Sequence, residues 1–298
     1  MRTLSPSSSH REPAYRTGRR AVPRQLIESE DSSDRRSRRG SERPSCSIVI
    51  PAYNEESRIG RTLERVCAYL GALGGAAEII VVDDGSKDGT AALMQAKATD
   101  VPPNVSLRLL QHFPNRGKGA SVKEGCLAAL GDYVLFSDAD LATPIEEADK
   151  LWAALKQGYD VAIGSRVHPD GRDMRSTQPA YRRLFGKLYR LVVGIFILRG
   201  VTDTQCGFKA FTRPAARYLM GAQQLSGIVF DTELLFLAQL GGLRIAQLPV
   251  LWTNVGGSRM RVTPGQAFAV LRDLCSIRWR HRKVPAFLRA NANDPSAN

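Results

Sequence analysis

Tyr133-Val134-Leu135-Phe136-Ser137-Asp138-Ala139-Asp140 is the stretch from which the fold of this chain is read. The apolar run at 133–136 is too short for a helix and reads as a buried strand. Two carboxylates, one residue apart, leave its C-terminal end. In extended chain, residues i and i+2 point to one face, so Asp138 and Asp140 can converge on one hard cation. Mg²⁺ or Mn²⁺ fits such oxygen donors, and it commonly rides on the phosphates of a bound nucleotide. There it neutralises a departing diphosphate.

Working outward, two more apolar runs end in polar residues. Ser47-Ile48-Val49-Ile50 leads into Pro51-Ala52-Tyr53-Asn54-Glu55-Glu56, and Ile79-Ile80-Val81-Val82 leads into Asp83-Asp84-Gly85-Ser86. Three such strand ends describe the ligand crevice of an open α/β sheet. Further strands are expected at 105–110, 160–163 and 244–252. Helices are expected from Ile59, Leu63, Val66 and Leu70 at helical spacing, and at 89–98, 118–130, 145–157 and 231–240. The alternation predicts a mostly parallel, Rossmann-like sheet with helices on both faces.

Lysine and arginine number 42 against 29 acidic residues, a net charge of +13 that implies an anionic partner. Residues 1–44, rich in Ser, Arg and Pro, read as a disordered basic tail. The main domain is expected over 45–255, and a basic amphipathic helix with its tail over 256–298. No apolar run approaches the ~18 residues of a membrane span, and the first forty-odd residues hold no secretory signal. The five cysteines form no CxxC pair and read as reduced thiols of a cytosolic protein.

After Gly164 the alternation stops. Residues 165–180 read as a long loop, followed by an amphipathic helix at about 180–198. Arg183, Lys187 and Arg190 fall on one side of it; Leu184, Leu188, Leu191 and Ile195 fall on another. That arrangement suits an anionic membrane surface. The last helix, about 265–280, groups Phe268, Leu271, Leu274 and Cys275 and ends in a basic cluster.

Other residues carry chemistry. A carboxylate at 83 or 84 can accept from a base N–H or a ribose hydroxyl, while Ser86 or Asp88 can cap the next helix. Asn115-Arg116-Gly117-Lys118-Gly119 is a cationic, glycine-rich turn opening a helix, and Lys118 with its N-terminal amides suits an anion. Its spacing is not that of a P-loop. Arg166, Arg182, Arg183 and Lys209 are candidate phosphate binders. No aromatic-and-basic RNA-binding motif accompanies the charge, which argues against a nucleic-acid partner.

Taken in order, Ser47 to Glu56, the Val-Val-Asp-Asp-Gly-Ser run, the Arg-Gly-Lys-Gly turn and the Ser-Asp-Ala-Asp run resemble family 2 glycosyltransferases of the GT-A fold. Asp138 to Pro144, Gly164-Ser165-Arg166, Thr202 to Lys209 and Phe230 to Leu234 resemble the dolichyl-phosphate β-glucosyltransferase branch. The resemblance implies a UDP-sugar donor, UDP-glucose first among them, and a polyprenyl phosphate acceptor, joined with inversion. The eukaryotic glucosyl enzymes it resembles carry an N-terminal membrane helix where this chain has a polar stretch, so the lack of an apolar span predicts peripheral binding on the cytoplasmic side of a membrane. It implies that Pro51, Tyr53, Glu55 and Asp83 or Asp84 line the uridine pocket. Asp138 and Asp140 are to hold ribose, metal and diphosphate. Arg166, with Arg182 or Arg183, is to meet the acceptor phosphate. Ala142 stands where mannose synthases often place a metal-binding Gln. Asp231 would serve as a base if the acceptor were a hydroxyl, or it steadies its own helix. Mannose or N-acetylhexosamine as the sugar, and a hydroxyl acceptor, stay open.

Overall fold

The computed structural model describes residues 43–168, 170, 173–174, 180–255 and 264–283; the side chains of 180–185, 188, 264 and 266–267 lie outside that description. Almost all of the expected basic tail, and the segments 256–263 and 284–298, also lie outside the described residues.

The first half follows the expected alternation. β1 (Cys46–Ala52), α1 (Glu56–Ala72), β2 (Ala77–Asp83), α2 (Thr90–Lys97) and β3 (Val105–Gln111) come first. α3 (Lys118–Ala128), β4 (Tyr133–Ser137), a 3₁₀ turn (Ile145–Glu147), α4 (Ala148–Lys156) and β5 (Val161–Ser165) follow. The second half comprises α5 (Ala180–Phe196), β6 (Phe208–Thr212), α6 (Arg213–Ala222), α7 (Phe230–Leu240), β7 (Ile245–Pro249) and α8 (Pro264–Arg280).

The seven strands form one sheet in the order β3-β2-β1-β4-β6-β5-β7. All pairs are parallel except those made by β6, which runs antiparallel to β4 and β5. β1 alternates as a strand buried on both faces must. Ile48 and Ile50 face one core with α1 and α4; Val49 faces the other with α3, α6, α7 and α8. α1 presents Ile59, Leu63, Val66 and Leu70 to the first core, all at most 1% exposed. Each such side chain contributes about 1.5–3 kcal/mol relative to exposure.

Two elements escaped the sequence reading. Phe208-Lys209-Ala210-Phe211-Thr212 is a fully integrated strand although it carries a lysine at its second position. α6 follows at once, with the Thr212 hydroxyl accepting from Ala215 N and Pro214 in the first turn. Thr-Arg-Pro was a legible helix start.

α5 has apolar residues on two faces. Val193 and Ile197, the latter just past its end, pack into the core, while Leu191, Ile195 and Phe196 are exposed. α8 divides in the same way: Leu274 and Ile277 are buried, and Phe268, Leu271 and Trp279 are exposed. Of the apolar group expected on α5, Leu191 and Ile195 are both exposed, and the side chains of Leu184 and Leu188 lie outside the described residues; the group expected on α8 is split, with Leu274 buried and Phe268, Leu271 and Cys275 exposed. Among the described residues no helix is long and apolar enough to cross a membrane.

Candidate active site

Parallel pairing brings the C-terminal ends of β1, β2, β4 and β5 to one rim. Because β6 is reversed, it is its entry, not its exit, that reaches this rim. Asp203, Cys206 and Gly207 thus join the site, and Asp138 N donates to Gly207 O at 3.2 Å.

β4 ends at Ser137, so Asp138 and Asp140 sit in a turn rather than on a pleat. Their proximity comes from that turn, not from strand alternation as the sequence suggested. Leu141 adopts φ +45° directly after them. A left-handed leucine costs on the order of 1–3 kcal/mol, strain of a kind that gathers at functional sites. Thr62 pins the turn from α1, its hydroxyl donating to Ala139 O at 2.6 Å. Burial and then the neighbouring Asp138 charge push the Asp140 carboxyl above its ordinary range, against the pull of Ala142 N–H, Arg58 and Lys118.

Lys118 Nζ lies 2.5 Å from Asp138 Oδ1. That oxygen is shielded from solvent and receives no hydrogen bond of good geometry. Burial lowers the Lys118 ammonium, but Asp138, Asp231 and Asp140 outweigh it and hold it above the usual lysine range. An acidic pair in contact with one cation has the hard oxygen chemistry that Mg²⁺ or Mn²⁺ requires. Among the described residues no three His, Cys, Asp or Glu side chains gather as a metal set. The donors fit an ion that takes the rest of its shell from phosphates and water.

The turn bearing Lys118 is held from two directions. Asp84 accepts from Arg116 N and Gly117 N, both at 2.8 Å, and from His112 Nδ1 at 2.8 Å. Its carboxylate is engaged in holding this turn. Asp83 accepts from Ser86 N and Gln111 Nε2. On the other side Ser226 O accepts from Gly119 N at 2.8 Å. Gly117 has φ +94°, and a methyl group there would stand 2.7 Å from Ser226 O, so both conformation and space require glycine.

The β1 and β2 loops are laced together. Asn54 N donates to Ser86 Oγ, Lys87 N donates to Asn54 Oδ1, and Glu55 N donates to Thr90 Oγ1. Asp88 Oδ1 accepts from Thr90 N at the start of α2. Pro51 and Tyr53 lie at the same rim, Tyr53 39% exposed. Glu55 pairs with Arg58 at 2.7 Å.

Arg166 forms a two-pronged pair with Asp203: Nε to Oδ2 and Nη2 to Oδ1, both 2.7 Å. Burial opposes the guanidinium charge, and Asp203 outweighs it, holding Arg166 well above the ordinary arginine range. The Arg166 cation also lies 5.8 Å from the Trp252 ring centroid. Neither Asp203 nor Trp252 was among the sequence candidates.

Lys209 is corrected. It is fully buried, its ammonium paired with Asp231 and donating to Cys206 O at 2.5 Å, with the Phe136 ring beneath. A lysine so enclosed does not reach an acceptor phosphate; it steadies the entry to β6. Asp231 is likewise enclosed, its carboxylate paired with Lys209 of β6, a contact between strand and helix rather than a cap on its own helix. Burial lifts its carboxyl above the usual range despite Lys209 and Lys118. Arg182 and Arg183 begin α5, but their side chains lie outside the described residues.

The description "Glycosyl transferase family 2" matches residues 47–219. A dolichyl-phosphate beta-glucosyltransferase of Trichomonas vaginalis is 39% identical over 226 residues, 72% of this chain and 66% of that protein. The Drosophila melanogaster protein of that name is 38% identical over 72% of this chain and 68% of its own. The Homo sapiens one is 32% identical over 79% and 75%. The chain thus spans about two thirds to three quarters of these relatives. Among solved structures, glucosyl-3-phosphoglycerate synthase of Mycobacterium tuberculosis, in complex with Mn²⁺, UDP and glucosyl-3-phosphoglycerate, superposes with TM-score 0.52 at 22% identity, covering 90% of this chain and 88% of that one. That likeness establishes the GT-A fold alone. With the acidic turn, the Lys118 turn and the reversed strand all in place on that fold, the chain belongs to glycosyl transferase family 2.

Proposed function

We propose that this enzyme transfers glucose from UDP-glucose to a polyprenyl phosphate of the dolichyl type, with inversion at the sugar carbon. What carries the reading is the identity to dolichyl-phosphate beta-glucosyltransferases over most of the chain, in three organisms named above.

In this reading a phosphate oxygen of the acceptor attacks C1 of glucose and the C1–O bond to UDP breaks. The second ionisation of a phosphate monoester lies near pKa ~6, so the nucleophile is already mostly dianionic at neutral pH. No general base is needed, which agrees with an Asp231 enclosed against Lys209. The chain's task is positioning and charge. Asp138 and Asp140 would hold Mg²⁺ or Mn²⁺, which supplies charge neutralisation for the departing diphosphate. Lys118 stands beside the same carboxylate and adds a cation to that region. Pro51, Tyr53, Glu55 and Asp83 would line the nucleoside side of the rim. Arg166, with Arg182 or Arg183, would meet the acceptor phosphate; Asp203 keeps Arg166 charged and aimed.

The acceptor's lipid calls for a membrane surface. Exposed Leu191, Ile195 and Phe196 on α5, and Phe268, Leu271 and Trp279 on α8, support peripheral attachment; in this reading the surface is the cytoplasmic one. Arg278, Arg280, Arg282 and Lys283 suit anionic head groups.

The test incubates the protein with polyprenyl phosphate and labelled UDP-glucose, GDP-mannose or UDP-N-acetylglucosamine, and extracts the lipid. Label in lipid from UDP-glucose alone is expected. Label from another donor would reassign the sugar, and labelled water-soluble product without labelled lipid would reassign the acceptor.

A further inference from the structure

α7 and α8 lie outside the stretch matched to the family, yet a chain of buried hydrogen bonds ties their ends to the Lys118 turn. His281, just past α8, places Nε2 2.7 Å from Glu233 Oε1 on α7, and both side chains are fully buried. Glu233 uses both oxygens again: Oε1 accepts from Gln224 N at 3.0 Å and Oε2 from Leu225 N at 2.9 Å. The segment so gripped is the one on which the Lys118 turn rests. Ser226 O accepts from Gly119 N at 2.8 Å. Gln223 Nε2 donates to Gly119 O at 2.9 Å and to Leu225 O at 2.8 Å. A methyl group on Gly119 would stand 2.9 Å from both Leu225 O and Ser226 O, so the two segments touch with no slack.

We infer that His281 is a positioning residue, acting through Glu233 and the Gln224–Ser226 backbone to hold the turn that places Lys118 against Asp138. A carboxylate buried at Glu233 needs donors from every side. Two come from the backbone it grips, and His281 supplies one from across the helix interface. Without it Glu233 is under-satisfied, and the segment it holds has an alternative: to open toward water. The turn at Gly117–Gly119 would then keep only its Asp84 side. The end of α8 thereby becomes part of the catalytic domain rather than an appendage to it.

The inference rests on the glucosyl-transfer reading only for its kinetic assay. Two full-length variants separate a hydrogen-bond role from volume: His281→Phe fills space without a donor, and His281→Gln keeps one. Amide hydrogen exchange of peptides covering 115–121 is measured on each, beside kcat and the KM values for UDP-glucose and for the lipid acceptor. The expected result is exchange at least tenfold faster at 115–121 in His281→Phe, with kcat down about tenfold to a hundredfold and the KM for the lipid acceptor unchanged. His281→Gln should restore most of both. Wild-type exchange at 115–121 in a folded His281→Phe protein would overturn the inference, and so would equal loss in the two variants. Should wild type transfer no glucose while His281→Phe still loosens 115–121, the latch stands and the substrate reading falls.

Discussion

Gly207 faces Asp138 across the β4–β6 pairing so closely that a side chain on Gly207 would fall on the Asp138 carboxyl group. The glycine is therefore part of how the acidic turn is shaped. The same Gly207 carbonyl receives the Asp138 N–H.

Gly207→Ala should displace Asp138 while leaving both cores untouched. Overpacking of this kind costs about 1–3 kcal/mol. Activity should fall far more than that stability loss accounts for. Urea unfolding beside Mn²⁺-dependent UDP binding checks it; wild-type binding would mean that the turn simply shifts to accommodate the methyl group.

Asp140→Ala should abolish metal-dependent turnover, by about 10²-fold or more, a scale typical of removing one electrostatic stabiliser. Stability should be unchanged or higher, because burial and Asp138 already disfavour the charged Asp140. Thermal unfolding without metal and a Mn²⁺ titration of activity give the two halves of the answer.

Asp203→Ala leaves Arg166, only 12% exposed at its side chain, as a buried charge without its two-pronged partner. Breaking such a pair typically costs about 3–5 kcal/mol. Asp203→Asn, which keeps one acceptor, should lose less. If Asp203→Ala unfolded at the wild-type urea midpoint, Arg166 would have to be held by other groups.

Asp231 supplies a pH test. Burial raises its folded-state pKa above the ordinary 3.8, even with Lys209 and Lys118 pulling it down. The folded protein therefore binds this proton more tightly than the unfolded chain does. Its contribution to stability is full below about pH 3.8 and is lost as pH rises through the folded value. Asp231→Asn lacks that slope. The difference in unfolding free energy should move toward the variant as pH rises from acid into the neutral range. Urea melts of both proteins at several pH values decide it; a wild-type advantage that grows with pH would mean that Lys209 outweighs burial.

Much of the first half was legible because its signals are local. Ile48, Val49 and Ile50 alternate between two cores, and Ile59, Leu63, Val66 and Leu70 repeat at helical spacing. The acidic strand ends could be placed at one rim because parallel strands share a direction. What stayed hidden depends on partners distant in sequence. Lys209 looked like a phosphate ligand because its 22-residue separation from Asp231 carries no periodic mark. β6 was hidden with it, since a charged residue in a short apolar run argues against burial. Asp203 and Arg166 pair across 37 residues, and His281 and Glu233 across 48. Only the fold brings these groups together.

The reversed direction of β6 has a consequence for insertions and deletions. The connection from Asp203 to Gly207 is anchored at both ends, to Arg166 beyond one strand and to Asp138 beyond another. Adding or removing a single residue there cannot be absorbed by a neighbouring loop. It would slide one anchor out of reach, so natural length variation should spare this connection.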